Sequence, residues 1–317
     1  MPSPVFITID TELMWRHHAA GLPVREIAAR SLEPAGVGIG WQLTQLDRHR
    51  LKATFFVDPM PAMIFGPDPI ARVVDAILTA GQEVQLHLHP NWAGASAHDR
   101  TKHGSFELID FAPFAQRDLI ARARDLLTAC GAPDPVAFRS GSYSANDATI
   151  DALVELGFAY DSSHNGSEHP WPSNINLPVR AIAPTLHRGL VEVPVTLIED
   201  RPGHLRHFQI CALSAGEMRA AIDHAVRHDH AATTIVGHGF ELANRAGTRA
   251  NRVHRSRFER LCAMLSERRD VLPTTHFADS PMLRLGQDDQ PLGPSQMRTR
   301  WRQAEQLWSN WVEERAA

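Results

Sequence analysis

Val5-Phe6-Ile7-Thr8-Ile9-Asp10-Thr11-Glu12 is the stretch on which the reading of this chain turns. Its run of apolar and β-branched residues suits a short strand covered on both faces. The run ends on two acids spaced by two. A second stretch, Gln82-Glu83-Val84-Gln85-Leu86-His87-Leu88-His89, ends in the same way on two histidines. Successive strand side chains alternate faces, so Asp10 and Glu12 project together, as do His87 and His89. On neighbouring strands, these two carboxylates and two imidazoles would meet at the strand ends. Two histidines plus a carboxylate, with one position left for water, form the ligand set of a catalytic zinc or similar divalent ion. The chain holds 18 His, so an isolated H-x-H means little by itself. A lone D-x-E at a strand end is more often a turn or a cap. The weight comes from the rest of the chain.

Outward from these stretches, strands alternate with helices. Helical periodicity runs through Ile39, Leu43 and Leu46 within residues 36–49, and residues 53–57 read as a second strand stopped by Asp58-Pro59. Residues 70–80 place Ile70, Val73, Val74, Ile77 and Leu78 on one side of a helix that Gly81 ends. Further helices are expected over 118–130, 150–156, 215–227 and 256–268. Strands are expected near 136–139, 158–160, 191–197, 233–236 and 271–274. Residues 91–111, with His98 and His103, lack periodicity and suit a binding loop. Repeated βα units predict a parallel sheet, hence an α/β barrel or a doubly wound sheet.

At 317 residues, with 43% hydrophobic and 21% charged residues, the chain can bury one large core. We expect a single domain over residues 1–285. Residues 286–317 are expected to form a Gly- and Pro-rich linker and a C-terminal helix. That helix carries Trp301, Ala304, Trp308, Trp311 and Val312 near one face, and would pack on its own domain or form a homodimer contact. A net charge of −4 and the lack of a basic stripe exclude a phosphate-backbone binder, so no nucleic-acid partner is expected. No window approaches the roughly 18 apolar residues of a membrane span. The opening Met1-Pro2-Ser3-Pro4 lacks an export signal, which points to the cytoplasm. Cys130, Cys211 and Cys262 are scattered and read as small buried apolar residues rather than a disulfide framework.

In parallel α/β proteins, functional groups gather at the carboxyl ends of the strands. Five polar clusters fall there: Asp10-Thr11-Glu12, His87-Leu88-His89-Pro90, Arg139-Ser140-Gly141-Ser142-Tyr143, Asp161-Ser162-Ser163 and Gly237-His238-Gly239-Phe240-Glu241. In order and rough spacing these resemble the motifs of the polysaccharide deacetylase (NodB-homology, carbohydrate esterase family 4-like) family, over roughly residues 5–275. The likeness includes the strand Ala53–Val57 and the Gly81–His87 approach to the histidines. Two departures stand out. The family's first motif has adjacent aspartates, where this chain separates Asp10 and Glu12 by Thr11. Its histidines are three apart, where His87 and His89 are two apart, with Asn91 beyond.

The resemblance implies a distorted (β/α) barrel of about seven parallel strands with a C-terminal helical tail. It also implies one divalent ion, zinc first, with Mn, Co, Ni or Fe as alternatives. The expected ligands are Glu12, His87 and His89, with Asp10 as an alternative carboxylate ligand. Asp10 would be the general base, Arg139 the group that orients it, and His238 the general acid with Asp161 as its charge partner. Backbone N–H groups of Ser142 and Tyr143 would stabilise the oxyanion. The expected reaction removes an acetyl or formyl group from an amino sugar or glycan. A hydrolase of small amides or imides uses the same residues and stays open. A non-catalytic metal- or sugar-binding module is disfavoured by Asp10 and His238, which exceed a ligand set. Glu241 receives no role.

Overall fold

The computed structural model describes residues 2–96 and 106–314. His98 and His103 therefore lie outside the described residues. The strands are numbered in chain order. From edge to edge, the main sheet runs β12 (Thr233–His238), β1 (Val5–Thr11), β2 (Thr54–Val57), β3 (Glu83–Leu88), β4 (Ala137–Ser140), β6 (Tyr160–Asp161), β9 (Leu190–Glu192) and β8 (Thr185–His187). Seven of these are mutually parallel, and β8 adds an antiparallel eighth at one edge. Two small ladders pair β5 (Ala145–Asn146) with β7 (Ser173–Asn174), and β10 (Leu197–Arg201) with β11 (His204–His207).

The sheet curls until its two edges approach each other. Beyond β9, Val193 N–H donates to the Asp161 carbonyl and Val195 N–H to the His164 carbonyl, at 2.8 and 3.0 Å. The next residue, Thr196, donates instead to the Thr234 carbonyl on β12, at 3.2 Å. Residues 193–196 thus close the seam of a distorted barrel with isolated hydrogen bonds rather than a ladder. The expected last strand over 271–274 makes only a single bridge, Val5 with Thr274, because Pro273 has no N–H to donate. The polar residues after β1, for which no helix was expected, form helices Trp15–Ala19 and Val24–Leu32, the second burying Ile27 and Leu32.

Alternation sorts the sheet into two faces. Outside, Ile7, Ile9, Phe55, Leu86, Leu88 and Phe138 pack into the core beneath the surrounding helices. Helix Asp68–Thr79 shows why these segments are helical: its buried Ile70, Val73, Val74 and Ile77 recur at helical spacing, and Gly81 takes the left-handed φ of 69° that ends it. Inside, Phe6, Phe56, Ala137, Val193, Ala232 and Phe277 fill the barrel floor, with the Phe6 and Phe277 rings stacked 4.4 Å apart. The next inward positions are polar, and the open end of the barrel is lined with titratable groups.

The chain beyond the barrel is stitched to it. Gly286 N–H donates to the Pro184 carbonyl, and Glu199 N–H to the Leu292 carbonyl. Helix Gln296–Trp308 then lies on the body and continues as a wider π turn over Ser309–Glu313.

Candidate active site at the barrel mouth

Register brings the motifs together. Asp10 at the end of β1 pairs directly with His238 at the end of β12, and His87 on β3 pairs with Arg139 on β4. His89 follows His87 by two, so both rings point inward, with centroids 4.9 Å apart. One donor atom each from Glu12, His87 and His89 lies within 4.8 Å of the others, which is the reach of a single ion. His87 Nδ1–H donates to the Arg139 carbonyl at 2.8 Å, leaving Nε2 as the donor that faces the cluster. This outer hydrogen bond fixes the ring and its tautomer, as ligand histidines require. Among the described residues no other group of His, Cys, Asp and Glu converges in this way. The set fits a divalent cation.

The electrostatics agree with that chemistry. Burial pushes the His87 imidazole down to about 4, so it is neutral and able to ligate. His89 Nε2 lies 2.6 Å from Glu12 Oε2. Burial opposes charge on both partners, but each holds the other ionised, with His89 raised to about 9 and Glu12 lowered to about 2. This ion pair is the contact that a cation would replace. Gly141 is required here because a Cβ would meet the His89 ring at 2.4 Å.

Arg139 is fully buried and uses its whole fork. Nη1 donates to Thr8 Oγ1 at 2.7 Å and to Asp10 Oδ1 at 2.9 Å, Nε to the Ser162 carbonyl at 3.0 Å, and Nη2 to Ser162 Oγ at 2.9 Å. Its guanidinium carbon also sits 4.5 Å from the Phe56 ring centroid. Burial raises the Asp10 carboxyl, but Arg139, helped by His87 and His238, outweighs that and keeps it below its ordinary value.

His238 Nε2 faces Asp10 Oδ2 at 3.7 Å. Its other nitrogen, Nδ1, lies 2.7 Å from Glu241 Oε1. Burial alone would lower the His238 pKa, yet Glu241, with Asp10 and Glu12, raises it to about 9. Glu241 is held in turn by Gln209 Nε2 and by Cys211 Sγ, the latter at 3.2 Å. The glycines beside His238 serve packing: a Cβ at Gly237 would meet Ile210 at 2.9 Å, and one at Gly239 would meet Ile39 at 2.7 Å.

Asp161 does not occupy the expected place beside His238. Its carboxylate accepts from Ser163 N–H at 3.1 Å and Ser163 Oγ–H at 2.7 Å, and it is hydrogen-bonded to the buried Glu192. Burial raises both carboxyls, and the Asp161 charge and hydrogen bond raise Glu192 further while the same hydrogen bond opposes the rise at Asp161, so the pair retains a proton. The carboxylate partner of His238 is Glu241, three residues beyond it. Ser142 and Tyr143 hold left-handed φ values of 55° and 59°, a strained turn of the kind that collects at functional sites. Ser142 is exposed, whereas the Tyr143 hydroxyl is buried without a hydrogen-bond partner among the described residues. Burial, together with the nearby Asp10 charge, keeps that hydroxyl protonated.

Asp58 was read only as a strand stop. It sits fully buried at the end of β2, where its carboxylate accepts from the backbone of Met60 at 3.0 Å and of His89, while Oδ2 has no partner among the described residues. Burial raises it to about 7 against the opposing pull of His89. The available signal was its position, one residue past a strand like the other clusters.

No protein-family model matches this sequence, and no curated protein does. Among solved structures, a Mycobacterium smegmatis protein assigned as a polysaccharide deacetylase aligns over 91% of this chain and 96% of its own, at 19% identity and a TM-score of 0.55. A family 4 carbohydrate esterase from Streptomyces lividans, solved with acetate, covers 90% of this chain and 98% of its own, at 13% identity and a TM-score of 0.45. A peptidoglycan deacetylase from Bacillus subtilis covers 98% of both chains, at 13% identity and a TM-score of 0.38. On the first of these likenesses, this chain has the polysaccharide deacetylase fold.

Proposed function

We propose that this protein is a metal-dependent hydrolase that removes an acetyl or formyl group from the nitrogen of an amino sugar or glycan. The observation that carries the reading is the convergence of Glu12, His87 and His89 donor atoms within 4.8 Å, on the same mouth as the paired Asp10 and His238. A divalent cation held by those three residues, zinc in first place, would polarise the amide carbonyl and lower the pKa of water to about 7. Asp10, kept ionised by Arg139, accepts the proton of the attacking water. His238, kept protonated by Glu241, delivers a proton to the departing nitrogen as the C–N bond breaks. The products are a carboxylate and a free amine. The partnerless Tyr143 hydroxyl is a donor available to the developing oxyanion. The buried Asp58 carboxylate, which accepts from the Met60 and His89 backbone, supports the chain beneath His89.

The test pairs metal analysis of the purified protein with an assay for amine release across N-acetyl and N-formyl amino sugars and small amides and imides. Amine release from sugars that disappears with chelation supports the reading. Release from small amides or imides alone would move the substrate class. One bound ion per chain with no release from any of them would leave a binding module.

A further inference from the structure

Helix Gln296–Trp308 is turned inside out. Its buried face is polar: Arg302 donates to Asp200 Oδ2 at 2.8 Å and Glu217 Oε1 at 3.1 Å, Thr299 Oγ1–H donates to the Asp200 carbonyl, and Glu305 pairs with Arg257 at 3.0 Å. Its apolar face looks outward, with Met297 81%, Trp301 64%, Leu307 71% and Trp308 57% exposed. Trp311, in the following π turn, is 63% exposed. Taking about 150–250 Å² for a large side chain, this face presents on the order of 600 Å² of apolar surface. That matches the largest patch expected on a typical monomer, roughly 300–600 Å².

We infer that this face pairs with the same face of a second copy, in an antiparallel two-fold dimer. Met297, Trp301, Ala304 and Trp308 recur at intervals of four, three and four, the spacing of a seam between two helices. The pattern is self-complementary. With the helices antiparallel and Trp301 of one copy opposite Ala304 of the other, each indole meets the smallest residue of the stripe, and Met297 meets Trp308. An isologous interface requires this reciprocity.

Charge plays no part in this pairing, because the acids at the far end are engaged on the protein's own body: Glu313 is buried beside Arg249 and the Arg252 N–H, and Glu314 accepts from the Arg245 N–H and from Asn251. Area supports the pairing instead. Two such faces would bury about 1,200 Å², the lower bound of a standard stable interface. A membrane surface is the weaker fit, because interfacial helices present a basic polar face to the headgroups, and here the polar face is bound to the protein's own body.

Sedimentation of the full chain across micromolar concentrations tests this. The expected result is a dimer that Trp301→Glu with Trp308→Glu converts to monomer, without loss of fold by circular dichroism. Either substitution alone should weaken the dimer by at least about tenfold. Ala304→Trp is decisive: it adds apolar surface but fills the gap the opposite indole needs, so it should also weaken the dimer. Three results would overturn the inference: a monomeric wild type throughout, tighter association with Ala304→Trp, or Trp-dependent flotation of a monomer with phosphatidylglycerol vesicles.

Discussion

At the barrel mouth, Arg139, Asp10 and His87 are buried together, while on the C-terminal helix Arg302 is buried and Trp301 faces solvent. Both regions take charge out of water, and both repay that only by pairing. They differ in how fully the pairing is completed. Arg302 divides its guanidinium between Asp200 and Glu217, two carboxylates of the same body. At the mouth, Asp58 Oδ2, Glu241 Oε2 and the Tyr143 hydroxyl are buried without partners among the described residues. A completed network fastens one element to another. An incomplete one leaves buried donors and acceptors that a bound group can satisfy.

That contrast breaks most visibly at the ligands. Glu12→Ala or His87→Ala should abolish turnover and weaken metal affinity by more than the roughly 10- to 100-fold typical of outer-shell partners, with the fold intact by circular dichroism. Asp10→Asn should keep the metal and lower kcat by about 10²- to 10⁴-fold. If Asp10→Asn sheds the ion while Glu12→Ala retains it, Asp10 is the carboxylate ligand. His238→Ala should lose a similar factor on an amide but less on an ester with a good leaving group, measured as kcat on both substrates.

The helix should answer in the opposite currency. Arg302→Ala leaves Glu217 buried without its cation, while Asp200 keeps Arg206 and His204, and should cost about 3 kcal/mol in denaturant unfolding. Metal content and turnover per folded molecule should not change. An activity loss without a stability loss would erase the distinction between the two regions.

Smaller effects sharpen the picture through pH. His238 is raised to about 9, so its contribution to stability is complete below its ordinary value near 6.5 and fades as pH rises through 9. The protonated form is the acid, so the rate should fall over the same alkaline range. Glu241→Gln removes the main charge that holds the proton, and the alkaline limb of the pH–rate profile should move to lower pH. Asp161→Asn should leave that limb in place. Asp161 and Glu192 are also raised, so the stability tied to their shared proton is present at low pH and lost on going alkaline. Glu192→Gln should flatten the alkaline decline in Tm.

Much of the mouth was legible in the sequence because strands have a strict period. A spacing of two decides that Asp10 and Glu12, or His87 and His89, share a face, and buried parallel strands announce themselves as apolar runs. Partners set by three-dimensional packing were not legible. Asp161 sits after a strand as the motif order suggested, but its neighbour Glu192 comes from a strand 31 residues later, and only the register of β6 with β9 brings them together. Glu241 receives no role from the sequence because nothing local shows that Gln209 and Cys211 close over it. Ladder β10–β11 is rich in charge and lacks alternation, so no strand signal marked it. The C-terminal stripe was visible as a periodicity, but periodicity does not say which face turns inward. Here Arg302 and its two carboxylates decided that.

In the proposed reaction, amide hydrolysis requires one divalent ion held by Glu12, His87 and His89. Metal stoichiometry and amine release, measured on the same preparations of wild type, Glu12→Ala and Asp10→Asn, test it most directly. The expected result is about one ion per chain with activity in the wild type, neither in Glu12→Ala, and the ion without activity in Asp10→Asn. Full activity in a wild-type protein stripped of metal, or in Glu12→Ala, would contradict it.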